Sequence, residues 1–254
     1  MTAAPLIALD SASAVDGRHI RALTFQSVRM DYLRRVLGEL GLATHGSRVL
    51  VVGSGRGVLA RGLAELGFEV VATDPSAAAT ALASDADGGL GVTYRTAPAT
   101  ELDLPDSSFD LVYCADTLEI TEKPDAVLAE AARVLRPGGA FVYDTVNRTP
   151  VSRLIYLGAF QAFPGTRIMP PGRYAAHRLR RPEELAEAFD RAGFSAKGVI
   201  GFKPRNVRSL VSATRGRRRG TLTDEQLPKL VDMVLEPAST KPLVTYLGHA
   251  VRQG

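Results

Sequence analysis

Val49-Leu-Val-Val-Gly53-Ser-Gly55-Arg-Gly57 decides the fold of this chain. The apolar run before Gly53 reads as a buried strand, the three alternating glycines as a tight turn, and Val58 as the start of a helix. Glycine takes positive φ without Cβ strain and lets backbone pass close to a ligand, while the first amides of the helix point at whatever binds there. A nucleotide-like cofactor is implied. The dinucleotide fingerprint Gly-x-Gly-x-x-Gly puts its third glycine one residue later, where this chain has Val58, so a pyrophosphate is disfavoured. About 20 residues on, a second apolar strand, Glu69-Val-Val-Ala-Thr-Asp74, ends in a carboxylate able to accept both ribose hydroxyls. A glycine turn alone fits an ordinary loop. With Asp74 after it, adenosine without a pyrophosphate means S-adenosylmethionine.

Outward from this turn the pattern alternates. Apolar spacing from Ile20 to Leu40 predicts one or two amphipathic helices, an N-terminal flank over 15–45. Strands are expected at Arg48 to Val52, Glu69 to Thr73, Val92 to Arg95, Phe109 to Cys114 and Ala140 to Val146. Helices fall between them at Val58 to Leu66, Ala77 to Ser84 and Lys123 to Leu135, the last stopped by Pro137-Gly-Gly139. This is doubly wound α/β grammar over a core of 46–147. Residues 148–182 read as an inserted substrate cap, a helix and then a loop of Pro, Gly and Arg. The core pattern resumes with a helix at Glu183 to Ala192 and a strand at Ala196 to Phe202. An insertion over 203–241 carries a helix near Asp224 to Leu235, and a last strand runs from Leu243 to Val251.

A chain of 254 residues, 45% of them hydrophobic, suffices for one α/β unit, so a single domain over 1–254 is expected. No apolar run nears the roughly 18 residues of a membrane span, and the first residues lack a secretory signal's basic start and apolar core. A cytoplasmic protein is expected. Cys114, alone and inside a strand-like run, reads as a small core residue. The net charge is +4, with bases gathered in Arg215-Gly-Arg-Arg-Arg219 and at Arg178, Arg180 and Arg181. Solvated loops account for both groups. No aromatic interleaving accompanies them, and no nucleic-acid partner is expected.

Taken together, the chain resembles the class I S-adenosylmethionine methyltransferases, and more closely the ubiquinone-biosynthesis O-methyltransferases. Arg29-Met-Asp-Tyr32, Val49 to Gly57, Phe109 to Glu119, Leu135 to Gly139, Asn147-Arg-Thr-Pro-Val-Ser152 and Arg181-Pro-Glu-Glu-Leu185 carry the likeness. It spans about 25–202 and stops at the 203–241 stretch. The resemblance implies an α/β, Rossmann-like, seven-stranded sheet with an antiparallel last strand and a small cap. It also implies cofactor contacts at Arg29 for the methionine carboxylate, at Gly53, Ser54, Gly55 and Gly57 in the turn, and at Asp74 and Pro75 by the ribose. Glu101 and Leu102 would flank adenine, and Ala115 would line the methyl-donor end. Two departures stand out. An acid is usual two residues before the first glycine, where this chain has Val51. The acid-x-x-Glu-His cluster after the fourth strand, which in some members holds a divalent cation, survives as Asp116-Thr-Leu-Glu119 with Ile120 for the histidine.

Methyl transfer to a phenol needs a phenolate, hence a general base or a metal. Candidate catalytic groups are His177, Asp116 and Glu119. Mg2+ would accept the two carboxylates without an imidazole; alternatively Asp116 caps a helix and Glu119 faces outward. Tyr174, Arg167 and Arg173 in the cap are candidate acceptor contacts, arginine suiting a planar anion. The expected function is methylation of a hydroxyl on a small aromatic or quinol-type acceptor, with N- or C-methylation, or cofactor binding without catalysis, as alternatives. A homodimer through an exposed cap helix is compatible with the sequence and not required by it.

Overall fold

The computed structural model describes residues 5–254. Five strands follow the chain up to the cap: β1 (Arg48–Val52), β2 (Glu69–Asp74), β3 (Thr93–Thr96), β4 (Phe109–Cys114) and β5 (Leu135–Val146). Three more, β6 (Phe194–Pro204), β7 (Met233–Leu235) and β8 (Thr245–Arg252), complete one sheet in the order β3-β2-β1-β4-β5-β8-β6-β7. Strands β1 to β5 pair in parallel, and β8 runs antiparallel between β5 and β6. The sheet therefore has eight strands where seven were expected. The extra one is the edge segment Met233–Leu235, paired to Phe202–Pro204. It lies where the sequence predicts the end of a helix; Pro228 and this pairing limit the helical part to a 3₁₀ turn at Asp224–Lys229.

Side chains alternate across the pleat, so each central strand feeds two cores. Val49, Val51, Leu111, Tyr113 and Val142 face one side, with Ile20, Val28 and Leu33 of helix α1 (Gly17–Leu40) and Leu59 and Leu63 of α2 (Val58–Glu65). On the other side, Leu50, Val52, Val112, Cys114 and Phe141 meet Val127, Leu128 and Ala131 of α4 (Pro124–Val134) and Leu185 and Phe189 of α6 (Pro182–Arg191). Between β2 and β3 lies α3 (Ala77–Asp85). Both faces being covered explains why these strands read as unbroken apolar runs. Cys114 is fully buried, and burial pushes its thiol up, in keeping with a core role.

The cap opens with a single α-turn, α5 (Pro150–Arg153), and widens into a π-helix over Leu154–Ala162. Its side chains Tyr156, Ile168, Met169 and Tyr174 join the first core. Gly17, the first residue of α1, leans on it: a Cβ there would lie 2.9 Å from the Ile168 carbonyl carbon and the Met169 sulfur, so only glycine fits. The stretch after β6 departs from its expectation. Most of the basic run is the end of a helix, α7 (Val207–Arg218), rather than a loop. Arg217 pairs with Asp224, and Arg218 donates to the Pro5 carbonyl at 2.8 Å. Arg215 and Arg219 face solvent.

Candidate active site

Parallel strand order reverses between β1 and β4, and the turns leaving those two strands open a crevice at their carboxyl ends. Gly53 leaves β1 at φ 75°, and a Cβ on it would sit 2.5 Å from the Ala115 carbonyl oxygen. Its amide and that of Ser54 donate to the Thr73 carbonyl at 2.9 and 3.0 Å, which ties the bend to the end of β2. Asp74 ends β2 wholly buried and accepts from the Gly55 amide at 2.9 Å and the Ser76 amide at 3.0 Å. The bend and the acid thus form one hydrogen-bonded unit. A third member was not foreseen: Arg18, at the start of α1, pairs fork to fork with the Asp74 carboxylate, Nη1 lying 3.1 Å from Oδ1.

Beside this unit lies an ionic cluster at the ends of β4 and β5. Arg29 is 1% exposed and grips Asp144 through Nε at 2.9 Å and Nη2 at 2.8 Å, with Asp116 also 2.8 Å from Nη2. Arg21 reaches Asp116 at 2.6 Å and Glu119 at 2.8 Å, and donates to the Tyr174 hydroxyl at 2.9 Å. Its guanidinium lies between the Phe25 and Tyr156 rings, 5.1 and 5.3 Å from their centres. Its contacts with Asp116 and Glu119 are ion pairs at angles outside those of hydrogen bonds, and Asp144 lies farther off at 3.7 Å: Arg21 Nη2, Asp116 Oδ1 and Glu119 Oε1 all lack a hydrogen-bond partner. Thr145 donates to the other Glu119 oxygen at 3.2 Å.

Environment separates the three carboxyls. Burial raises all of them, but Arg21 and Arg29 outweigh it at Asp116 and hold that group well below the usual range. At Asp144 burial prevails over Arg29, with Asp116 adding to it, and the carboxyl is pushed up to about 7. Burial also raises Glu119, against the pull of Arg21 and with the push of Asp116. Cap arginines fix the loop that carries Asp116 and Glu119. Arg178 donates to the Ile120 carbonyl at 3.0 Å, and Arg180 to those of Leu118 and Thr121 at 3.1 and 2.7 Å. The sequence reads both as solvated.

The expected site residues divide accordingly. Gly53, Ser54, Gly55, Arg29, Ala115 and Asp116 line one cavity, which Asp10, Asp16, Arg18 and His19 close from the N-terminal side. Gly57 caps α2 just behind it. Glu119 is 0% exposed, so the outward-facing alternative is overturned; Asp116 begins no helix and pairs with arginines instead. Tyr174 joins the cluster, and the charge of Arg173 acts on Glu119. Arg167 lies beside Arg218. His177 is on the surface, 68% exposed, with Nε2 3.1 Å from Glu122. Pro75 and Glu101 are exposed, and the Leu102 side chain is core. Arg18, Arg21 and Asp144 were missed because their partners lie 56, 95 and 115 positions away or more. Only the run of three arginines at 18, 21 and 29 on the buried face of a predicted helix could have flagged them.

The residues fit an adenosyl sulfonium in kind. The Ser54 hydroxyl, His19 Nδ1 and Arg56 Nε line the cavity as buried polar atoms without partners, beside a bend that tolerates no side chain at Gly53. With Arg18 on Asp74 the free volume is about 10 Å³, room for one water. A metal fits less well, since the two oxygens that would bind it already face guanidinium groups.

Residues 50–143 match the family described as Methyltransferase domain. The structure is similar to magnesium protoporphyrin IX methyltransferase from Synechocystis with bound SAH, at a TM-score of 0.58 and 20% identity over 93% of this chain and 86% of that one. It is likewise similar to an S-adenosylmethionine-dependent methyltransferase from Mesorhizobium loti, at a TM-score of 0.56 and 23% identity over 86% and 96%. Glycine bend, acid-ended β2 and the inserted antiparallel β8 define the class: the protein is an S-adenosylmethionine-dependent methyltransferase. In sequence, it is 35% identical over 188 residues to the ubiquinone biosynthesis O-methyltransferase of Alkalilimnicola ehrlichii, covering 71% of this chain and 73% of the relative. With that of Xanthomonas euvesicatoria the identity is 34% over 192 residues, covering 73% and 77%. The chain belongs to the ubiquinone-biosynthesis O-methyltransferase family.

Proposed function

We propose that the enzyme methylates a hydroxyl of a small hydroxylated aromatic or quinol-type metabolite, with Glu119 as general base. The observation that carries this is the state of Glu119: fully buried, one oxygen accepting from Thr145 at 3.2 Å and the other without a hydrogen bond, 2.8 Å from Arg21, whose guanidinium lies over the Tyr156 ring and donates to the Tyr174 hydroxyl. When bound, S-adenosylmethionine supplies an electrophilic methyl on a sulfonium, open to in-line displacement. In this reading Asp74 accepts the ribose hydroxyls, and Pro75 and Glu101 border the adenosine. Arg29 Nη1, which is in none of the ion pairs, takes the methionine carboxylate. Asp116 accepts the cofactor's ammonium in place of the acid missing at Val51, and Ala115 borders the methyl.

Glu119 then accepts the acceptor's hydroxyl proton. A carboxyl raised by burial is a stronger base than an exposed one, and closing the site keeps water from competing. Arg21, clamped between Phe25 and Tyr156, opposes the phenolate charge that develops as the proton leaves, and Arg173 adds to that field. The aromatic side chains gathered about Arg21 (Phe25, Tyr156 and Tyr174) suit an aromatic acceptor, and the relatives' name points the same way. His177, exposed and paired with Glu122, is left without a part in this chemistry. No step passes through a metal.

The test is turnover of catechol- and amine-bearing acceptors with labelled cofactor. Glu119→Gln is expected to lower kcat for the catechol about 100-fold while cofactor affinity holds. Faster methylation of the amine, indifferent to Glu119, would redirect the reading to N-methylation.

A further inference from the structure

Arg18 occupies the position that the reading above gives to the cofactor ribose. Its guanidinium meets both Asp74 oxygens, and its Nε and Cζ lie 3.4 and 3.5 Å from where a Cβ on Gly55 would be, so it covers the bend as well as the acid. Both partners are buried, their side chains 10% and 0% exposed. The pair is latched from behind. Asp16 caps α1 by accepting from the Arg18 and His19 amides at 3.0 and 3.1 Å, and lies 2.8 Å from Arg56 in the glycine turn. A second carboxylate reaches the same nitrogen: Arg18 Nη1, which donates to Asp74 Oδ1 at 3.1 Å, also lies 3.5 Å from Asp10 Oδ1. Arg18 thus stands between two acids, one belonging to the cofactor site and one to the N-terminal segment.

We propose that Arg18 is a built-in competitor for the cofactor ribose, yielding Asp74 by passing its guanidinium to Asp10 as the first turn of α1 moves outward. The inference rests on Asp74 as the ribose acceptor. Uncovering a buried carboxylate is costly unless the departing cation finds another partner, and Asp10 supplies one without Arg18 leaving the segment. The same movement reaches the acceptor side. Arg21 lies three residues on, holding Asp116 and Glu119, and Gly17 leans on the cap at Ile168 and Met169. Cofactor entry therefore loosens the elements that enclose the acceptor, and the cofactor binds first.

Calorimetric titration with S-adenosylhomocysteine tests this on four variants of the full chain. Arg18→Gln should bind about tenfold more tightly than wild type, since the closed state no longer competes. Asp10→Asn should bind several-fold more weakly, since it removes the alternative partner; asparagine tolerates the positive φ of 56° that Asp10 adopts. Combined with Arg18→Gln, Asp10→Asn should have no further effect, a dependence that a merely structural role for Asp10 would not produce. Unchanged or weaker binding by Arg18→Gln, or an Asp10→Asn effect that persists without Arg18, overturns the proposal. Asp74→Ala is the separate arm: wild-type affinity there overturns the ribose reading itself. Should Arg18→Gln not fold, the wild-type association rate decides, by levelling off with rising ligand if the gate exists and by growing linearly if it does not.

Discussion

Three carboxylates and two guanidiniums share the buried cluster of Asp116, Glu119, Asp144, Arg21 and Arg29. Unless one carboxyl keeps a proton, a net negative charge is left in a medium that solvates it poorly. Burial favours the neutral form at both Asp144 and Glu119, so the folded chain holds a proton that the unfolded chain releases in the ordinary carboxylate range. The associated stability is fully present below that range and is lost as pH rises toward about 7, where Asp144 titrates. Glu119→Gln balances the charges. Urea unfolding at a series of pH values should show a shallower loss of stability between about pH 4.5 and 7 in this variant than in wild type; equal slopes would exclude the shared proton. The same pairing bears on metals. Mg2+ at Asp116 and Glu119 would have to displace Arg21, so turnover is expected to survive a chelator at full rate, and its loss with recovery on adding Mg2+ would contradict that.

Among the elements, the start of α1 bears the most. Asp16 satisfies two of the free amides of the first turn and pairs with Arg56, so one side chain both caps the helix and ties it to the glycine bend. Asp16→Ala is expected to cost about 1–2 kcal/mol of stability, read as a lower denaturation midpoint at unchanged slope. Legibility differed between elements for physical reasons. Strands β1 and β4 match their expected bounds because an apolar run ending in glycine or in a change of polarity is a local signal. The segment after Asp224 was misread because Met233-Val-Leu has no intrinsic preference strong enough to outweigh its pairing with β6. The basic run that ends α7 was read as a loop because a cluster of arginines resembles a solvated turn, whereas here Arg217 and Arg218 are anchored by Asp224 and Pro5.

At the scale of the molecule, the cap and α1 share one apolar cluster with the sheet: Tyr156, Ile168 and Tyr174 lie in the same core as Val28, Val51 and Leu111. Elements that share a core unfold together, so heating should give a single transition, with near- and far-ultraviolet dichroism changing at the same temperature. An earlier step confined to aromatic signals would show that the cap folds as a separate unit. None of the helices among the described residues is long and apolar enough to cross a membrane.

The amino-acid order alone determined the alternating α/β plan, the bend at Gly53 to Gly57 and the acid at Asp74, because each is written in neighbouring residues through turn chemistry and apolar period. It also pointed to the cofactor, since that site is built from two adjacent strand ends. Only the folded chain decided which charges meet. Arg18 on Asp74, Arg29 on Asp144 and Arg21 on Glu119 join positions far apart in sequence, and a buried ion pair depends on distance, angle and exclusion of water, none of which a linear spacing records.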